Sequence, residues 1–102
     1  MAEHVSMFYG TAKPGRGQAL IDQMNKWDRE QKSKAKGFIR SIIIFENDNP
    51  DQFAGVVRWD NTENYKANAG RPEQDAWYQE LVQHVEGEIN WFDATLAGEW
   101  KA

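Results

Sequence analysis

The sequence predicts an α+β domain built from four short strands and two main amphipathic helices, in the order strand, helix, strand, strand, helix, strand. Apolar residues alternate with a period of two in short segments rich in β-branched and aromatic side chains. They recur at helical spacing in two longer segments, and glycine, proline and polar clusters separate these segments. A chain of 102 residues is long enough to bury one core, so we expect a single domain over residues 1–102.

The first strand and the first helix lie on either side of a turn. Residues 5–11 alternate in apolar character and predict the strand, and residues 13–17 hold a Pro-Gly pair that is typical of turns. The next segment predicts an amphipathic helix over about residues 17–35, with Gly37 as its C-terminal stop. The apolar stripe of this helix consists of Leu20, Ile21, Met24 and Trp27.

A β-hairpin is expected after the first helix. Residues 38–45 are rich in β-branched side chains and predict the second strand, and residues 53–59 predict the third. The polar segment at residues 46–51 contains one proline and predicts the connecting turn.

Further helices and a last strand complete the predicted order. Asp60 is expected to cap a short helix, with Glu63 reaching back as in a capping box. Pro72 suits the first turn of a longer helix, which Gly87 is expected to end, and residues 89–96 predict the fourth strand. The apolar stripe of the longer helix consists of Trp77, Tyr78, Leu81, Val82 and Val85.

This order of elements gives the ferredoxin-like βαββαβ arrangement, a four-stranded antiparallel sheet with the helices on one face. The second strand is apolar on both faces, and the helices can cover only one of them. Water is a poor cover for the other, so we expect a second copy of the sheet to cover it and the protein to be a homodimer. One face of the strand carries Ile42 and Ile44, and the other carries Ile39, Ile43 and Phe45.

Composition argues against several classes of function. The 12 basic and 16 acidic side chains give a net charge of −4, the wrong sign for a protein whose main partner is a phosphate backbone. The absence of cysteine removes disulfides, thiolate nucleophiles and cysteine-ligated metals. No apolar run approaches the roughly 20 residues of a membrane-spanning helix, and no secretory signal is visible. We therefore expect a cytoplasmic protein without nucleic-acid or membrane partners.

Several short motifs give the chain a family resemblance that covers nearly its whole length. They are Lys13-Pro14-Gly15 after strand one, Gly37-Phe38 opening strand two, Val57-Arg58-Trp59-Asp60 leading through Glu63 and Tyr65 into a helix, Trp77-Tyr78 before Leu81, and Trp91. Together they resemble the antibiotic-biosynthesis monooxygenase (ABM-type) domains of the dimeric α/β-barrel superfamily. The resemblance implies the fold and the homodimer that the pattern predicts.

The resemblance also implies a chemistry. The family includes cofactor-free oxygenases that oxidise polycyclic phenols to quinones with a Trp at the end of strand three and a Tyr in the following helix. Trp59 and Tyr65 lie in the matching places, whereas Gly55 stands where those enzymes would have an asparagine. The haem-degrading members match less well, because Asn68 falls near the position of their Trp and His84 lies beyond that of their haem ligand. The resemblance thus implies oxidation by molecular oxygen without metal, flavin or haem.

Three residues are candidates for catalysis. Trp59 and Tyr65 would orient an aromatic ring, although for Trp59 packing as a core residue under the following helix is favoured over catalysis. His84, at the edge of the predicted apolar stripe, is the reserve general base. His4 precedes the first predicted strand, at an N-terminus that is expected to fray, and is given no role. Two histidines on different elements are a weak signal for a metal site.

Three further residues are candidates for substrate binding. Trp27 and Trp77 are expected to face the sheet and to line any cavity between the sheet and the helices. Arg58 points away from its neighbours Val57 and Trp59. It can pair with Asp60 or Glu46, or bind an anionic substituent of a ligand; these alternatives stay open.

Two functions remain open. The first is oxidation of a small flat aromatic or phenolic substrate, in which the protein supplies a base, a hydrogen bond to the phenolate and an apolar enclosure. The second is a non-catalytic dimeric protein that binds a small hydrophobic molecule or serves a regulatory or stress role. The thin supply of acid–base groups on the predicted core faces favours the second.

Overall fold

The computed structural model describes residues 2–102 and contains the predicted alternation of strands and helices. The strands form one antiparallel sheet in the order β2-β3-β1-β4, and the helices pack on one face of it. The elements are β1 (His4–Ala12), α1 (Gly17–Glu30), a 3₁₀ turn (Lys32–Lys34), β2 (Phe38–Phe45), β3 (Gln52–Trp59), α2 (Thr62–Ala69), α3 (Pro72–Val82) and β4 (Val85–Thr95). This is the ferredoxin-like βαββαβ arrangement, so the predicted fold class is confirmed.

The main core lies between the inner face of the sheet and the two longer helices. Phe8 from β1 and Phe53 from β3 meet Leu20 from α1 and Leu81 from α3, and all four side chains are buried. Burying an apolar side chain of this size stabilises the fold by about 1.5–3 kcal/mol. The apolar residues of the strands and of the helices therefore meet in one core layer, as the sequence predicts.

A second aromatic cluster determines where α1 ends. The helix ends at Glu30, not near Ala35 as predicted, and the chain tightens into the 3₁₀ turn. This tighter path brings Ala35 into the buried cluster that also contains Trp27 and Trp59. Tertiary packing thus overrides the helical pattern at this point.

Gly37 lies in the connection between the 3₁₀ turn and β2, not at the end of α1. Its φ is +83°, and a Cβ atom there would lie 2.2 Å from Oδ1 of Asp60. The same two residues are joined by a 2.8 Å hydrogen bond from the Asp60 N–H to the Gly37 carbonyl. Only glycine fits this close approach.

The N-cap of α2 differs from the prediction by one residue. Asn61, not Asp60, is the cap, and its Oδ1 accepts a 2.8 Å hydrogen bond from the Asn64 N–H. Asp60 Oδ1 instead accepts from the Asn64 side-chain amide at 2.8 Å, so the capping box with Glu63 does not form. Both Asp and Asn are good caps, and the extended backbone at Asn61 decides between them.

The boundary between α3 and β4 also lies earlier than predicted. The helix ends at Val82, and Val85 is the first residue of the strand, where it is buried in the main core. Gly87 has a φ of +72° within β4, at an irregularity where the register with β1 shifts between Tyr9 and Thr11. A glycine inside a strand is typical of such a bulge, so Gly87 distorts the strand and does not end the helix.

The outer face of the sheet is exposed and largely apolar. On β2, Ile43 faces the core, whereas Ile42 and Ile44 face outwards, as their alternation predicts. Ile39 is also expected on the face of Ile43, and the two residues line a groove beside α1, where Ile39 is 45% exposed next to a register shift between Phe38 and Arg40.

The space beside Gly55 is filled by the Phe8 ring. These residues are paired across β1 and β3, and a Cβ atom on Gly55 would lie 2.1 Å from Cζ of Phe8. The aromatic ring therefore occupies the volume into which a side chain at residue 55 would project. This contact explains why an asparagine is not accommodated at this position.

We predict that Gly55→Ala lowers the free energy of unfolding by about 1–3 kcal/mol, because the added methyl group collides with a buried ring. Urea denaturation followed by circular dichroism measures the change. The same substitution made together with Phe8→Leu should cost clearly less, since the smaller side chain leaves room. Equal costs in both backgrounds would contradict the collision.

Candidate functional site

A cavity of about 340 Å³ lies between the inner face of the sheet and the three helices. We call it the helix–sheet cavity. Its volume is within the range of small-molecule sites, roughly 300–1,000 Å³. Its lining residues come from every strand and helix. They include Ser6, Phe8, Met24, Trp27, Phe38, Ser41, Val57, Trp59, Tyr65, Asn68, Asp75, Trp77, Tyr78, Leu81 and Trp91.

Two tryptophan walls of the cavity are held in place by hydrogen bonds. The indole N–H of Trp27 donates to Gln74 Oε1 at 2.7 Å, and that of Trp77 donates to the Gln23 carbonyl at 2.8 Å. Gln23 in turn donates to the Trp77 carbonyl at 3.0 Å, which joins α1 to α3. With their polar edges satisfied, these rings offer apolar surface to the cavity.

Trp59 and Tyr65 form an adjacent wall. Trp59 is buried, and its ring meets Phe38 edge to face at a centroid distance of 5.6 Å. Tyr65 lies 6.2 Å from Trp59 in a similar edge-on geometry. Trp59 thus contributes to the core and to the cavity, so the two predicted roles are compatible.

A chain of hydrogen bonds lies at one end of the cavity. The Ser6 hydroxyl donates to Asp93 Oδ1 at 2.6 Å, and His4 Nε2 is 2.8 Å from Ser6 Oγ. A hydroxyl has one proton to donate, so Ser6 Oγ accepts from the Nε2–H of His4 in this arrangement. Nδ1 of a neutral His4 ring then accepts from the Thr62 hydroxyl, 3.2 Å away.

The His4 ring stacks on Tyr65. Their ring centroids are 4.1 Å apart and their planes differ by 15°. Burial is the main cause that raises the pKa of the Tyr65 hydroxyl, a hydrogen bond with Ser6 opposes it, and the negative charge of Asp93 together with a hydrogen bond to its carboxylate adds to the rise. Near neutral pH Tyr65 is a neutral phenol, as an ordinary tyrosine is, so it can donate a hydrogen bond to a ligand.

Local sequence explains why these side chains meet. His4, Ser6 and Phe8 alternate along β1, so all three face inwards. Asp93 is the cross-strand partner of Ser6 on β4. The site therefore depends on strand register, and a shift by one residue would turn His4 and Ser6 outwards.

Ser41 on β2 also contributes a hydroxyl to the cavity wall. Its Oγ is buried and finds no hydrogen-bond partner among residues 2–102. A buried hydroxyl without a partner costs free energy, so this group is available to a bound molecule.

Four of the predicted site residues come together at the helix–sheet cavity, and two do not. Trp27, Trp59, Tyr65 and Trp77 all line it. Arg58 instead pairs with two carboxylates, contacting Glu3 at 2.7 Å and Glu99 at 2.7 Å, and neither Asp60 nor Glu46 is its partner.

The other exception is His84, which follows α3 in a turn and is not part of the helix itself. Its Nδ1 atom lies 3.4 Å from Nη1 of Arg16 in an exposed contact. The structure therefore places the predicted reserve base outside the cavity wall.

Sequence reasoning missed the hydrogen-bonded residues His4, Ser6 and Asp93. One signal was present, because the period-two alternation places His4 on the same face as Phe8. The position of His4 near the N-terminus concealed it, although β1 begins at this residue and the ring is only 4% exposed.

These residue types also occur in hydrolase triads, but their arrangement here is different. In a triad the carboxylate accepts from His Nδ1, whereas in this protein Nδ1 of His4 contacts Thr62. Asp93 accepts directly from Ser6, and Ser6 is only 1% exposed. The arrangement therefore suits proton movement better than attack by a serine nucleophile.

Within residues 2–102, no three histidine, cysteine or carboxylate side chains are grouped so that they could hold a metal ion. Over the same residues, no helix is long and apolar enough to cross a membrane.

Solved structures with the same architecture come from several organisms. A conserved protein from Methanosarcina mazei has a TM-score of 0.79 at 15% identity, covering 92% of each chain. A protein from Nitrosomonas europaea, provisionally named an antibiotic biosynthesis monooxygenase, has a TM-score of 0.78 at 14% identity over 94% of this chain and 91% of its own. A variant of SnoaB, a cofactor-independent oxygenase from Streptomyces nogalater, has a TM-score of 0.78 at 12% identity over 97% of each chain.

The chain has the ABM-type fold. No protein-family model and no curated protein matches its sequence, so at these identities the likeness concerns architecture. Each structural match extends along nearly the whole of both chains, and the ABM-type fold therefore accounts for the described domain from β1 to β4.

We predict that Tyr65 ionises at a higher pH than an ordinary tyrosine, because burial raises its pKa. The unfolded chain then loses this proton first, so above roughly pH 10 the unfolded state binds fewer protons and stability falls with rising pH. The difference in ultraviolet pH titration between wild type and Tyr65→Phe isolates the group. An isolated titration at or below the ordinary value would contradict the buried hydroxyl.

Proposed function

We propose that the protein binds a small flat phenolic molecule in the helix–sheet cavity and oxidises it with molecular oxygen, without metal or flavin. The observation that carries the proposal is the construction of the cavity, in which aromatic walls end at a cluster of hydroxyl groups. Flat rings suit the apolar walls formed by Trp27, Trp59 and Trp77. A phenolic oxygen suits the polar end, where Ser6 and Tyr65 lie.

In this chemistry the substrate itself supplies the electrons. Loss of the phenolic proton makes the ring electron-rich enough to react with oxygen. One oxygen atom then enters the substrate in place of two hydrogen atoms, and the other leaves as water, so the atoms and electrons balance. The protein has to bind the ring, remove a proton and stabilise the phenolate.

Tyr65 is the residue that we assign to the phenolate. It is a neutral phenol at neutral pH, burial raises its pKa further, and it lies in the cavity wall beside Trp59. A neutral phenol can donate a hydrogen bond to a developing negative charge in an apolar enclosure. SnoaB, which shares the fold, is named a cofactor-independent oxygenase, and this name supports the choice of reaction class.

The proposal assigns no role to Arg58 or His84. Arg58 is engaged with Glu3 and Glu99, and His84 contacts Arg16 at an exposed site. An anionic substituent would therefore have no arginine partner at the polar end of the cavity. This arrangement favours a neutral phenolic ligand over a carboxylated one.

A non-catalytic binding protein is the second candidate. It is favoured by the small number of titratable groups in the cavity wall, where Asp75 supplies a carboxylate and Tyr65 and Tyr78 supply phenols. Such a wall suits tight binding of an apolar metabolite as well as it suits chemistry.

We predict that wild-type protein consumes oxygen with one or more members of a panel of anthrones, naphthols and catechols, and that Tyr65→Phe lowers this turnover by about tenfold to a hundredfold. An oxygen electrode measures the rate. Tyr9→Phe is the matched control, because Tyr9 lies exposed on the outer face, and its turnover should equal that of the wild type.

Binding without oxygen consumption would favour the second candidate. If several phenols quench the tryptophan fluorescence saturably and none is consumed, the cavity binds without catalysing, and the second candidate replaces the first. If Tyr65→Phe and Tyr9→Phe both turn over at the wild-type rate, Tyr65 has no part in the mechanism.

We also propose that the protein is a homodimer formed through the outer face of the sheet. Strand register aligns four apolar side chains in a row across this face, namely Ile42, Val56, Met7 and Phe92. Ile42 is 48% exposed and Phe92 is 60% exposed. A second copy of the sheet offers the same row, and a pairing of about 1,600 Å² in total is ordinary for a stable interface.

Adjacent isoleucines on β2 test the dimer. Ile42→Lys places a charge on the outer face, so we predict that it weakens the dimer and keeps the helical circular dichroism. Ile43→Lys places a charge against the core, so we predict that it unfolds or aggregates the protein. Size-exclusion chromatography with light scattering measures both. A wild-type protein that runs as a monomer at tens of micromolar would contradict the dimer.

A further inference from the structure

The Ser6 hydroxyl at the polar end of the helix–sheet cavity is shielded from bulk water. Ser6 is 1% exposed and His4 is 4% exposed, although Ser6 forms part of the cavity wall. The hydrogen-bond partners of Ser6 are the buried His4 and the half-exposed Asp93. If the proposed function is correct, a phenol bound against Ser6 passes its proton first to one of these two side chains.

His4 is the strongest base that reaches this end. Its Nε2 atom lies 2.8 Å from Ser6 Oγ, whereas the other histidine, His84, lies outside the cavity wall. Imidazole is a better proton acceptor than a carboxylate, which binds a phenolic proton only weakly. Asp93 is also within reach of Ser6. As a carboxylate, it is better suited to stabilise a cation than to remove this proton.

We propose that His4 accepts the proton of a phenolic ligand through the hydroxyl of Ser6, and that Asp93 is a positioning residue that holds the resulting imidazolium. The inference rests on the proposed function because it assumes a phenolic ligand. It adds a proton acceptor and a path, both on β1, that the family resemblance does not supply.

The transfer requires two changes in the hydrogen-bond chain: the proton of neutral His4 moves from Nε2 to Nδ1, and the Ser6 hydroxyl turns from Asp93 Oδ1 to His4 Nε2. With the proton of neutral His4 on Nδ1, this atom donates to the Thr62 hydroxyl, and Nε2 can accept from Ser6. The O–H bond of the phenol breaks as its proton moves to Ser6 Oγ, and the original Ser6 proton moves to Nε2. The products are a phenolate and an imidazolium, with Ser6 again a neutral hydroxyl.

The groups around His4 stabilise the charged ring. Asp93 Oδ1 from β4 lies 3.6 Å from Nε2, and the face of Tyr65 from α2 is stacked on the ring at 4.1 Å. A carboxylate and an aromatic face both favour a cation. The neighbouring acid Glu3 is ion-paired with Arg58 and is not free to compete.

A nitrophenol tests the inference without any turnover, because its phenolate absorbs visible light. The fraction ionised in the bound state is measured by absorbance, and binding is measured by tryptophan fluorescence. We expect the ratio of ionised to neutral nitrophenol to be at least tenfold higher in the bound state than in free solution at a fixed pH about one unit below the pKa of the free nitrophenol. His4→Gln should abolish this excess while leaving Kd within a few-fold, because glutamine can keep a hydrogen bond to Ser6.

Two further variants separate a proton acceptor from a structural histidine. His84→Gln is the matched control and should leave the ionised fraction unchanged. Asp93→Asn, at a half-exposed position, should reduce the excess ionisation by a smaller factor. If His4→Gln lowers the melting temperature and leaves the ionised fraction at the wild-type value, His4 is only structural and the inference is wrong.

The failure of this inference is distinguishable from the failure of the proposed function. A His4-dependent excess of phenolate without oxygen consumption would support the proton acceptor and overturn the oxidation. Oxygen consumption that His4→Gln leaves unchanged, together with an unchanged ionised fraction, would overturn the proton acceptor and support the oxidation.

Discussion

The two hydrogen-bonded ladders on either side of β1 are the constraint on which the rest of the structure depends. β1 lies between β3 and β4, so its register with both neighbours fixes which of its side chains face the helices. Because the pleat has a period of two, one register places His4, Ser6 and Phe8 inwards together. The hydrophobic core and the polar end of the cavity are therefore set by the same backbone pairing. Stability and function share a common origin in this strand.

The cavity combines rigid apolar walls with hydroxyl groups that differ in whether they have a hydrogen-bond partner in the protein. The indoles of Trp27 and Trp77 are anchored by the protein itself, so the walls keep their shape without a ligand. Ser6 is fully engaged, whereas Ser41 presents a buried hydroxyl that the described residues leave unpartnered. An enclosure of this kind is prepared for one orientation of a flat molecule, because its hydrogen-bonding capacity is concentrated at defined points.

The sequence was sufficient for the fold and for part of the site, because period and turn chemistry are local properties. The stripe that includes Leu20 and Trp27 and the alternation of Ile42 with Ile43 predicted the layers correctly. The boundaries failed where tertiary contacts decide, as at Ala35, which packs against Trp27 and Trp59. The register shift between Phe38 and Arg40 is likewise a property of strand pairing and leaves no mark in a single strand.

The polar part of the site was harder to predict, because its members are distant in sequence. Ser6 and Asp93 meet only through the register of β1 with β4, and Arg58 finds its partners Glu3 and Glu99 at the two ends of the described chain. No spacing rule connects such residues. The single-sequence pattern shows which face each side chain occupies, but the partner on that face follows from the assembled sheet.

The contact between Phe8 and Gly55 also constrains how this cavity can change by mutation. The ring fills the volume that a side chain on β3 would need, so the two positions cannot enlarge independently. A variant with a polar side chain at residue 55 first needs a smaller side chain in place of Phe8. The variant with only this first substitution would have a void in the core. Packing therefore imposes the order of the two substitutions. Polar side chains in the cavity wall can be changed more easily on β1 and β4 than on β3.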